Sequence, residues 1–358
     1  MNSGLDDVVA AETVLSDVDG TRGRLVVRGV SLDRLVQSGP YEAAVARMFE
    51  GFFEPRNWAA EIGRARAEVY PLLHFTGPAP ALPPTDALRA LLAGLPDASD
   101  ADTALKLIAA QAVFTAGTLR LRQGLAPIAP DPTLPHAADF LRTTTGIAPK
   151  DRQAAALDRY LVTVIDHGLN ASTFVSRIVA STQAGLTSSV LAAFGALKGP
   201  LHGGAPGPVL DMLDAIGTPT NAYPWLEAAL DRGERLMGFG HRIYRVRDPR
   251  AEALKGAVRL LAASGAIDPE RLALAEAVEE AALELLRRRK PDRPLDINVE
   301  FYTALLLEAL GFPREAFTCV FASGRVTGWI AHAREQALTG RLVRPKSVYV
   351  GPEPREAA

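Results

Sequence analysis

The sequence predicts an all-α fold in which the minor β element is an N-terminal hairpin. Apolar residues recur three and four positions apart along most of the 358 residues, the spacing of helices that bury one face. Strand signals are concentrated near the N-terminus. Hydrophobic residues make up 48% of the chain and charged residues 22%, so the core of one large or two ordinary domains is available.

The hairpin is predicted from two short apolar runs that flank a turn signal. Residues 13–15 and 24–28 are the runs, and residues 17–20 between them end in Asp-Gly, a strong turn dipeptide. Further along, residues 77–84 and 127–135 are rich in proline and are predicted to be loops.

Residues 170–197 predict a central pair of helices that is broken near Gly185. Apolar or small residues occupy nearly every face of this segment. A helix of that kind is expected to be buried all round, and small side chains let neighbouring helices approach closely.

A long amphipathic helix is predicted to begin at Asp268-Pro269. Aspartate caps a helix and proline suits its first position. The basic run 287–290 then precedes Pro291, where cations complement the helix dipole. We expect this run to be a solvated helix end.

Composition narrows the possible partners and cofactors. The net charge of −2 gives no general affinity for polyanions, so nucleic acid is not expected as a partner. Cys319 is the single cysteine, which argues against a thiolate zinc cluster and favours a reducing cytoplasm. Residues 1–20 lack a signal-peptide core, and the apolar run 185–197 is too short to span a bilayer. We therefore expect no metal and no membrane.

Two of the six histidines stand beside glycines in segments with loop character. His202 precedes Gly203, and His241 follows Gly240. Glycine permits tight turns and close approach of a ligand to the backbone, so both histidines are candidate site residues. The alternative is a helix C-terminus beside a histidine without a role, and neither motif alone decides between the two.

Charged residues elsewhere suit an anionic ligand and a base. Four arginines lie in residues 242–250, and their planar forks bind phosphates and carboxylates, although a solvated basic loop is the alternative. Glu300 lies among apolar residues, and burial makes a carboxylate a better base at neutral pH. Taken alone, its segment is better explained by a first-turn helix glutamate near backbone amides.

Together the motifs resemble those of the citrate synthase family, in order and over nearly the whole chain. The matching segments are residues 4–5, 10–13, 23–25, 28–29 and 84–89, Asp166-His167 with residues 170–174, Lys198-Gly199-Pro200-Leu201-His202-Gly203-Gly204-Ala205, residues 236–244 with Asp248-Pro249-Arg250, and Arg344-Pro345-Lys346. Any one motif is a weak signal, whereas the ordered series is specific.

The resemblance implies an α-helical homodimer whose subunit has two domains. Residues 1–208 and 310–358 would form a large helical domain and residues 209–309 a small inserted one, with the active site in the cleft. It implies a cytoplasmic transferase of the tricarboxylic acid cycle that condenses acetyl-CoA with oxaloacetate to citrate and CoA, without a metal or other cofactor.

The resemblance also assigns roles to individual residues. His202 would bind the thioester carbonyl, His241 would polarise the keto oxygen of oxaloacetate, and Glu300 would remove the α-proton. The residues implied to bind oxaloacetate are His167, Arg250, Arg325 and, from the partner subunit, Arg344. The residues implied to bind CoA are Met237, Gly238, Gly240 and Arg245.

Three positions depart from the usual family pattern. Glu300 stands where most members have Asp, and its extra methylene moves the carboxylate by roughly an ångström, a misplacement that costs about a hundredfold in rate if uncompensated. We expect the backbone to compensate for the extra methylene of Glu300, because the other site positions are filled. Bacterial members that resemble this sequence also carry Asn-Val-Glu-Phe. Gly168 replaces a common Glu, and Thr303 replaces a commoner Ser.

Two alternatives to citrate synthesis remain. A 2-methylcitrate synthase would use propionyl-CoA, and one methylene changes binding only modestly in an apolar pocket. A weak or inactive paralogue that binds CoA or a dicarboxylate is favoured by Glu300 and opposed by His202 and His241.

Overall fold

The computed structural model describes residues 5, 8–75, 81–203, 206–241, 243–292 and 295–352. The α-helices of these residues are α1 (Leu32–Leu35), α2 (Tyr41–Phe49), α3 (Trp58–Val69), α4 (Pro84–Ala93), α5 (Ala101–Arg122), α6 (His136–Thr145), α7 (Asp151–Thr163), α8 (Ala171–Ala180), α9 (Leu186–Leu197), α10 (Pro206–Ile216), α11 (Ala222–Asp231), α12 (Pro249–Ala262), α13 (Pro269–Arg289), α14 (Val299–Ala309) and α15 (Phe317–Thr339). Strands β1 (Ser16–Asp19), β2 (Arg24–Val27) and β3 (Val30–Ser31) form a small antiparallel sheet in that order. The predicted all-α fold with a minor β element is confirmed.

The hairpin is present, but its turn lies further along the chain than the sequence suggested. Ser16 pairs with Val27 and Asp19 with Arg24, so the turn occupies residues 20–23. The prediction of a first strand at 13–15 and a turn at 17–20 is wrong. Asp19 explains the shift. Its Oδ1 accepts hydrogen bonds from the amides of Thr21 and Arg22 at 3.1 and 2.9 Å, so the turn begins after Asp19.

Helix α15 forms the centre of the core. Nearly all of its residues as far as Ala333 are buried, and α5, α7, α8 and α9 pack around it. Helix α5 is long and apolar enough to cross a membrane by length and composition, but 83% of that stretch is buried inside the fold, as in a core helix.

Helices α8 and α9 form the predicted central pair, and the break ends at Gly185, whose φ is +100°. The prediction that the pair is buried all round is wrong for the single chain. Phe174, Ile178 and Val179 of α8 and Leu191 of α9 are only half-buried. Helices α15, α5 and α4 pack on the α8–α9 pair, and the described residues leave one of its apolar faces only half-buried.

Helix α13 begins and ends as the sequence predicted. Asp268 caps it by accepting from the Glu270 amide at 2.9 Å, and it ends at Arg289. The basic run at its end is exposed, yet two of its arginines pair with Glu227 and Asp231 of α11. This surface is therefore a set of exposed ion pairs as well as a solvated helix end.

The elements that carry the candidate site pack directly on one another. Helix α12 lies against both α7 and α14, and α14 also contacts α7 and α10. The β1–β2 turn contacts the loop before α12, since the Arg245 amide donates to the Gly20 carbonyl at 2.9 Å. The division into domains at residues 208 and 310 stays a prediction. Of the two predicted loops, 127–135 is confirmed, whereas residues 76–80 of the other lie outside the described residues.

Candidate active site

Two segments that are distant in sequence, 236–241 and 295–300, pair with each other beside α14. Phe239 and Ile297 form an antiparallel bridge. The Gly240 amide donates to the carbonyl of the residue before Ile297 at 2.7 Å. Because the pairing is antiparallel, residues 238 and 240 lie opposite residues 298 and 296, which fixes the loop that carries His241 to the segment that leads into α14.

Glycines allow this close pairing. Gly238 and Gly240 have φ values of +83° and +85°, a region that side chains rarely adopt. A Cβ at Gly238 would lie 2.8 Å from the ring of Phe301. Asn298 secures the junction twice, because its Nδ2 donates to the Gly240 carbonyl at 2.9 Å and its Oδ1 caps α14 by accepting from the Glu300 amide at 3.0 Å.

The protonation of His241 is fixed by its own loop. Its Nδ1 accepts from the amides of Ile243 and Tyr244 at 3.0 and 3.1 Å, so the proton of the neutral ring is on Nε2. Burial and the charge of Arg250 lower its pKa to about 4, which keeps the ring neutral at pH 7. Nε2 of His241 lies 3.2 Å from Arg250 Nη2. Both groups are donors, so an oxygen acceptor that binds beside them would accept from both.

Arg250 is held by the residue that caps its helix. Asp248 accepts from Nε and Nη2 of Arg250 at 3.0 and 2.8 Å and from the Arg250 amide at 2.9 Å. Asp248 also accepts from the Val299 amide at 3.2 Å, which joins the start of α12 to the start of α14. Arg250 Nη1 has no hydrogen-bond partner in the part of the chain that the structure describes.

His167 is buried beside the other histidine. Its ring contacts that of His241 edge-on, with centroids 5.7 Å apart, and its Nε2 lies 3.0 Å from the hydroxyl of Tyr244. Burial and the charges of Arg250 and Arg325 lower the pKa of His167 well below its usual range. A neutral imidazole interacts with an anion through a hydrogen bond and not through charge.

His202 is tethered by a serine of α8. Ser172 Oγ lies 2.8 Å from His202 Nε2, accepts from Trp329 Nε1 at 3.1 Å and donates to Asn170 Oδ1 at 2.8 Å. Because the Ser172 hydroxyl donates its hydrogen bond to Asn170, its oxygen accepts from Nε2–H of His202. Burial and the charge of Arg325 lower the pKa of His202 to about 4. Because Nε2 is occupied, Nδ1 is the nitrogen left to bind a ligand.

Arg325 is a buried guanidinium with an unused nitrogen. It lies on α15 with 1% of its surface exposed, and its Nε donates to the Val164 carbonyl at 2.6 Å. Its Nη2 is buried without a hydrogen-bond partner among the described residues. Burial lowers its pKa to about 10, so it is still charged at pH 7. A buried charge of this kind is stabilised when an anion binds to it.

Glu300 is the site's carboxylate. Its Oε2 is buried and has no hydrogen-bond partner within the described ranges. Burial raises its pKa to about 7, and the nearby charge of Arg250 opposes the rise. A carboxylate with a pKa near the working pH serves well as a general base.

Contacts and charges link these side chains into one site. Direct contacts join His167, His241 and Arg250, and the charges of Arg250 and Arg325 act on His202 and on Glu300. The arrangement therefore combines a buried base, neutral hydrogen-bond donors and two cations.

A family model for the citrate synthase C-terminal domain matches residues 4–346. This chain belongs to the citrate synthase family. The citrate synthase of Haloferax volcanii is 34% identical, over 98% of this chain and 96% of that protein. Members of this family are enzymes that transfer an acyl group, so the chain is such an enzyme.

Solved structures of the family have the same fold. Citrate synthase from Pyrobaculum aerophilum is 34% identical, with a TM-score of 0.86 over 99% of this chain and 93% of that one. The citrate synthase from Thermoplasma acidophilum, solved as a ternary complex with carboxymethyl coenzyme A and oxaloacetate, is 26% identical, with a TM-score of 0.88 over 100% of this chain and 98% of that one.

Not every residue predicted for a citrate synthase site joins this cluster. Arg344 is exposed on the extended segment after α15, and Arg245 is exposed beside the hairpin turn. Met237 is half-buried at the start of the glycine loop. Their predicted roles stay predictions. Among the described residues, no group of three or more His, Cys, Asp or Glu side chains is placed to bind a metal.

Sequence reasoning missed four residues that hold the predicted ones in place. They are Ser172, Trp329, Tyr244 and Asp248. Three of them lie within motifs that carried the family resemblance, and this was the available signal. No sequence signal pointed to Trp329, because its contact with Ser172 depends on how α15 packs against α8.

Proposed function

We propose that the protein condenses acetyl-CoA with oxaloacetate to give citrate and CoA. The observation that carries the proposal is a buried carboxylate with a pKa of about 7 on which the buried arginines Arg250 and Arg325 act, while Arg250 also acts on the two neutral imidazoles of His202 and His241. A thioester α-proton is weakly acidic, so the reaction needs both a base and a donor for the oxygen that becomes negative.

In the first step, Glu300 removes a proton from the methyl group of the thioester. The C–H electron pair forms a carbon–carbon double bond, and the carbonyl oxygen gains negative charge. His202 donates to that oxygen. Since Nε2 of His202 is held by Ser172, the donor is Nδ1, and the neutral ring carries its proton there once Ser172 turns its hydroxyl from Asn170 to Nε2.

In the second step, the enol carbon attacks the ketone carbon of oxaloacetate. The ketone oxygen becomes an alkoxide that accepts a hydrogen bond from Nε2–H of His241, whose Nδ1 is held by backbone amides. The proton that Glu300 removed then passes to this oxygen, which restores the carboxylate. Water then hydrolyses the thioester and releases CoA. This order requires a cleft that excludes water first and admits it later.

Oxaloacetate is a dianion, and the free guanidinium nitrogens suit it. Arg325 Nη2 and Arg250 Nη1 would each bind a carboxylate oxygen, and His167 would add a hydrogen bond. We further propose that Arg344 of the partner subunit completes the carboxylate site.

For the thioester, the proposal places CoA on the glycine loop. Met237, Gly238 and Gly240 would contact it through the backbone, and the exposed guanidinium of Arg245 would bind a phosphate. The related Thermoplasma acidophilum structure, described as a complex with carboxymethyl coenzyme A and oxaloacetate, supports these two ligand classes.

We also propose that the protein is a homodimer. The apolar face of the α8–α9 pair is only half-buried by the described residues of its own chain, and a second subunit would cover it. The extended segment after α15 exposes Leu342, Val348 and Val350 at 60, 65 and 89%. A second copy that covers both would bury this apolar surface.

Release of free CoA thiol, measured with oxaloacetate and either acetyl-CoA or propionyl-CoA, tests the function. We expect turnover with acetyl-CoA and a loss of about a hundredfold or more in kcat for Glu300→Gln, the range for removal of a general base. Oxaloacetate binding, measured by calorimetry, should survive this substitution. Glu308→Gln is the matched control, because Glu308 lies on the same helix in an ion pair with Arg271.

Other outcomes would change the proposal. A higher kcat/KM with propionyl-CoA would indicate a 2-methylcitrate synthase. Binding of both ligands without release of CoA would indicate an inactive paralogue. A Glu300→Gln rate equal to that of the wild type would show that Glu300 is not the base.

A further inference from the structure

Four buried polar atoms around the base have no hydrogen-bond partner among the described residues. They are Glu300 Oε2, Tyr160 Oη, Thr303 Oγ1 and Arg325 Nη2. Buried polar atoms are nearly always paired, so four such atoms in one region need an explanation. Substrate accounts for the arginine nitrogen, but it does not account for the two hydroxyl groups.

The hydroxyl groups reach this region from two helices that pack together. Tyr160 lies near the end of α7 and Thr303 on α14, and both side chains are 0% exposed. Thr303 follows Glu300 by three residues, so both lie on the same face of α14. A threonine in a helix commonly bonds to a carbonyl one turn earlier, and Thr303 Oγ1 makes no such bond.

The charge of Glu300 acts on Tyr160. Burial first, and then the charge of Glu300, raise the pKa of Tyr160 well above its usual range, while a hydrogen bond to Thr303 opposes the rise. The phenol therefore keeps its proton at any pH of interest and serves as a donor. The hydroxyls of Tyr160 and Thr303 act on each other, but neither has a hydrogen-bond partner of normal geometry among the described residues.

We propose that Tyr160 and Thr303 are positioning residues whose hydroxyl groups bind the Glu300 carboxylate and orient it for proton removal. The hydrogen bonds of catalytic groups are often long without substrate and tighten when substrate binds. Two donors on one side of the carboxylate would also fix the extra methylene that Glu has over Asp. The inference rests on the proposed function, because it assigns partners to the proposed base.

Three charged side chains also shift the pKa of Glu300. Arg250 and Arg325 lower its pKa, and Asp248 raises it. The acids of α10, Asp211 and Asp214, are paired with Arg314. A hydrogen bond to the ionised carboxylate lowers its pKa, so loss of the hydroxyl groups must raise it.

The test compares Tyr160→Phe and Thr303→Val with Thr303→Ser. The Glu300 pKa is measured directly by carbon-13 NMR of labelled glutamate carboxyls, with the signal assigned by Glu300→Gln. We expect Tyr160→Phe and Thr303→Val each to raise that pKa by about one unit, which leaves about tenfold less carboxylate at pH 6. The acid limb of kcat should move to higher pH by the same amount, with an unchanged KM for oxaloacetate. Thr303→Ser should behave as the wild type.

The control is Thr115→Val, which removes another buried and unpartnered threonine hydroxyl, on α5. It should change neither the Glu300 pKa nor kcat. The proposal is overturned if Tyr160→Phe and Thr303→Val fold with the wild-type Glu300 pKa. It is also overturned if they raise only the KM for oxaloacetate. A wild-type protein that releases no CoA would refute the proposed function, while the NMR titration would still decide whether the hydroxyl groups bind Glu300.

Discussion

His202 and His241 are both neutral imidazoles, but different neighbours decide which nitrogen carries the proton. Backbone amides fix His241, and no movement of a side chain changes that choice. His202 depends on a single hydroxyl, that of Ser172, whose proton serves either Asn170 or the ring. The position of one proton on Ser172 therefore sets whether His202 presents a donor or an acceptor to the thioester.

Ser172→Ala should lower kcat by about ten- to hundredfold, because the loss of an oxyanion donor costs up to about a thousandfold and the imidazole itself remains. The KM for oxaloacetate should change little, since Ser172 contacts none of the groups proposed to bind it. Steady-state kinetics with CoA release as the readout measures both values.

Ser176→Ala is the matched control for this prediction. Ser176 is one turn along α8 and donates to the backbone carbonyl of Trp329 at 3.1 Å, so its removal also loosens the α8–α15 contact. We expect it to cost about 1 kcal/mol in the free energy of unfolding and to leave kcat unchanged. Equal loss of kcat in both variants would mean that helix packing, and not the His202 tether, is responsible.

At this scale the sequence predicted candidate site residues that the structure brings into one buried cluster, but not how they are held. His202, His241 and Glu300 were found through glycine neighbours and ordered motifs. Ser172 and Trp329 act through a contact between two helices that are far apart in sequence. Their roles depend on tertiary packing, which local residue patterns do not encode.

Among the elements, the small β-hairpin has an influence beyond its size. Gly20 in its turn lies against the backbone of Ile243, and a Cβ there would be 2.2 Å from the Ile243 carbonyl oxygen. The amide of the same residue binds His241 Nδ1. The turn thus supports the loop that fixes the proton of a proposed catalytic histidine.

Gly20→Ala should therefore displace the loop and release His241. A misplacement of about 1 Å costs up to about a hundredfold in rate, and we expect a fall of at least about tenfold in kcat/KM. The melting temperature should fall only slightly, because the hairpin lies at the edge of the fold. Kinetics and thermal denaturation of the same preparation measure the two effects.

Gly207→Ala provides the comparison, since nothing lies within 4 Å of a Cβ at that position of α10. It should keep full activity and gain a little stability from the better helix former. Full activity in Gly20→Ala would show that the hairpin turn has no part in placing His241.

The elements were predictable where their signals are local. The cap at Asp268 and the break at Gly185 were found, because both depend on neighbouring residues. The hairpin turn was predicted too early in the chain, because Asp19 ends the first strand and its side chain binds amides of the turn that follows. The exposure of α8 was missed because a sequence pattern shows that a face is apolar but not what covers it.

At the scale of the whole molecule, two features are consistent with the proposed dimer. One apolar face of the α8–α9 pair is only half-buried by the described residues, and Arg344 is exposed on the segment after α15. Both features are explained at once if two copies assemble and exchange these segments. Each site would then use Glu300 of one subunit and Arg344 of the other.

A shared site predicts that two inactive variants restore each other. Arg344→Ala and Glu300→Gln subunits should each be nearly inactive alone. When they are mixed in equal amounts and exchange freely, about half of the dimers are mixed, and each has one intact site of two, which gives about a quarter of the wild-type activity. Mass spectrometry of differently labelled subunits confirms the exchange, and CoA release measures the recovery. The double variant Arg344→Ala/Glu300→Gln mixed with wild type is the control. Its mixed dimers contain two defective sites, so exchange should lower the activity from about half to about a quarter of the wild-type value, whereas exchange of the two single variants should raise it from nearly zero. Exchanged dimers without recovery would place Arg344 outside the site or assign both residues to the same subunit.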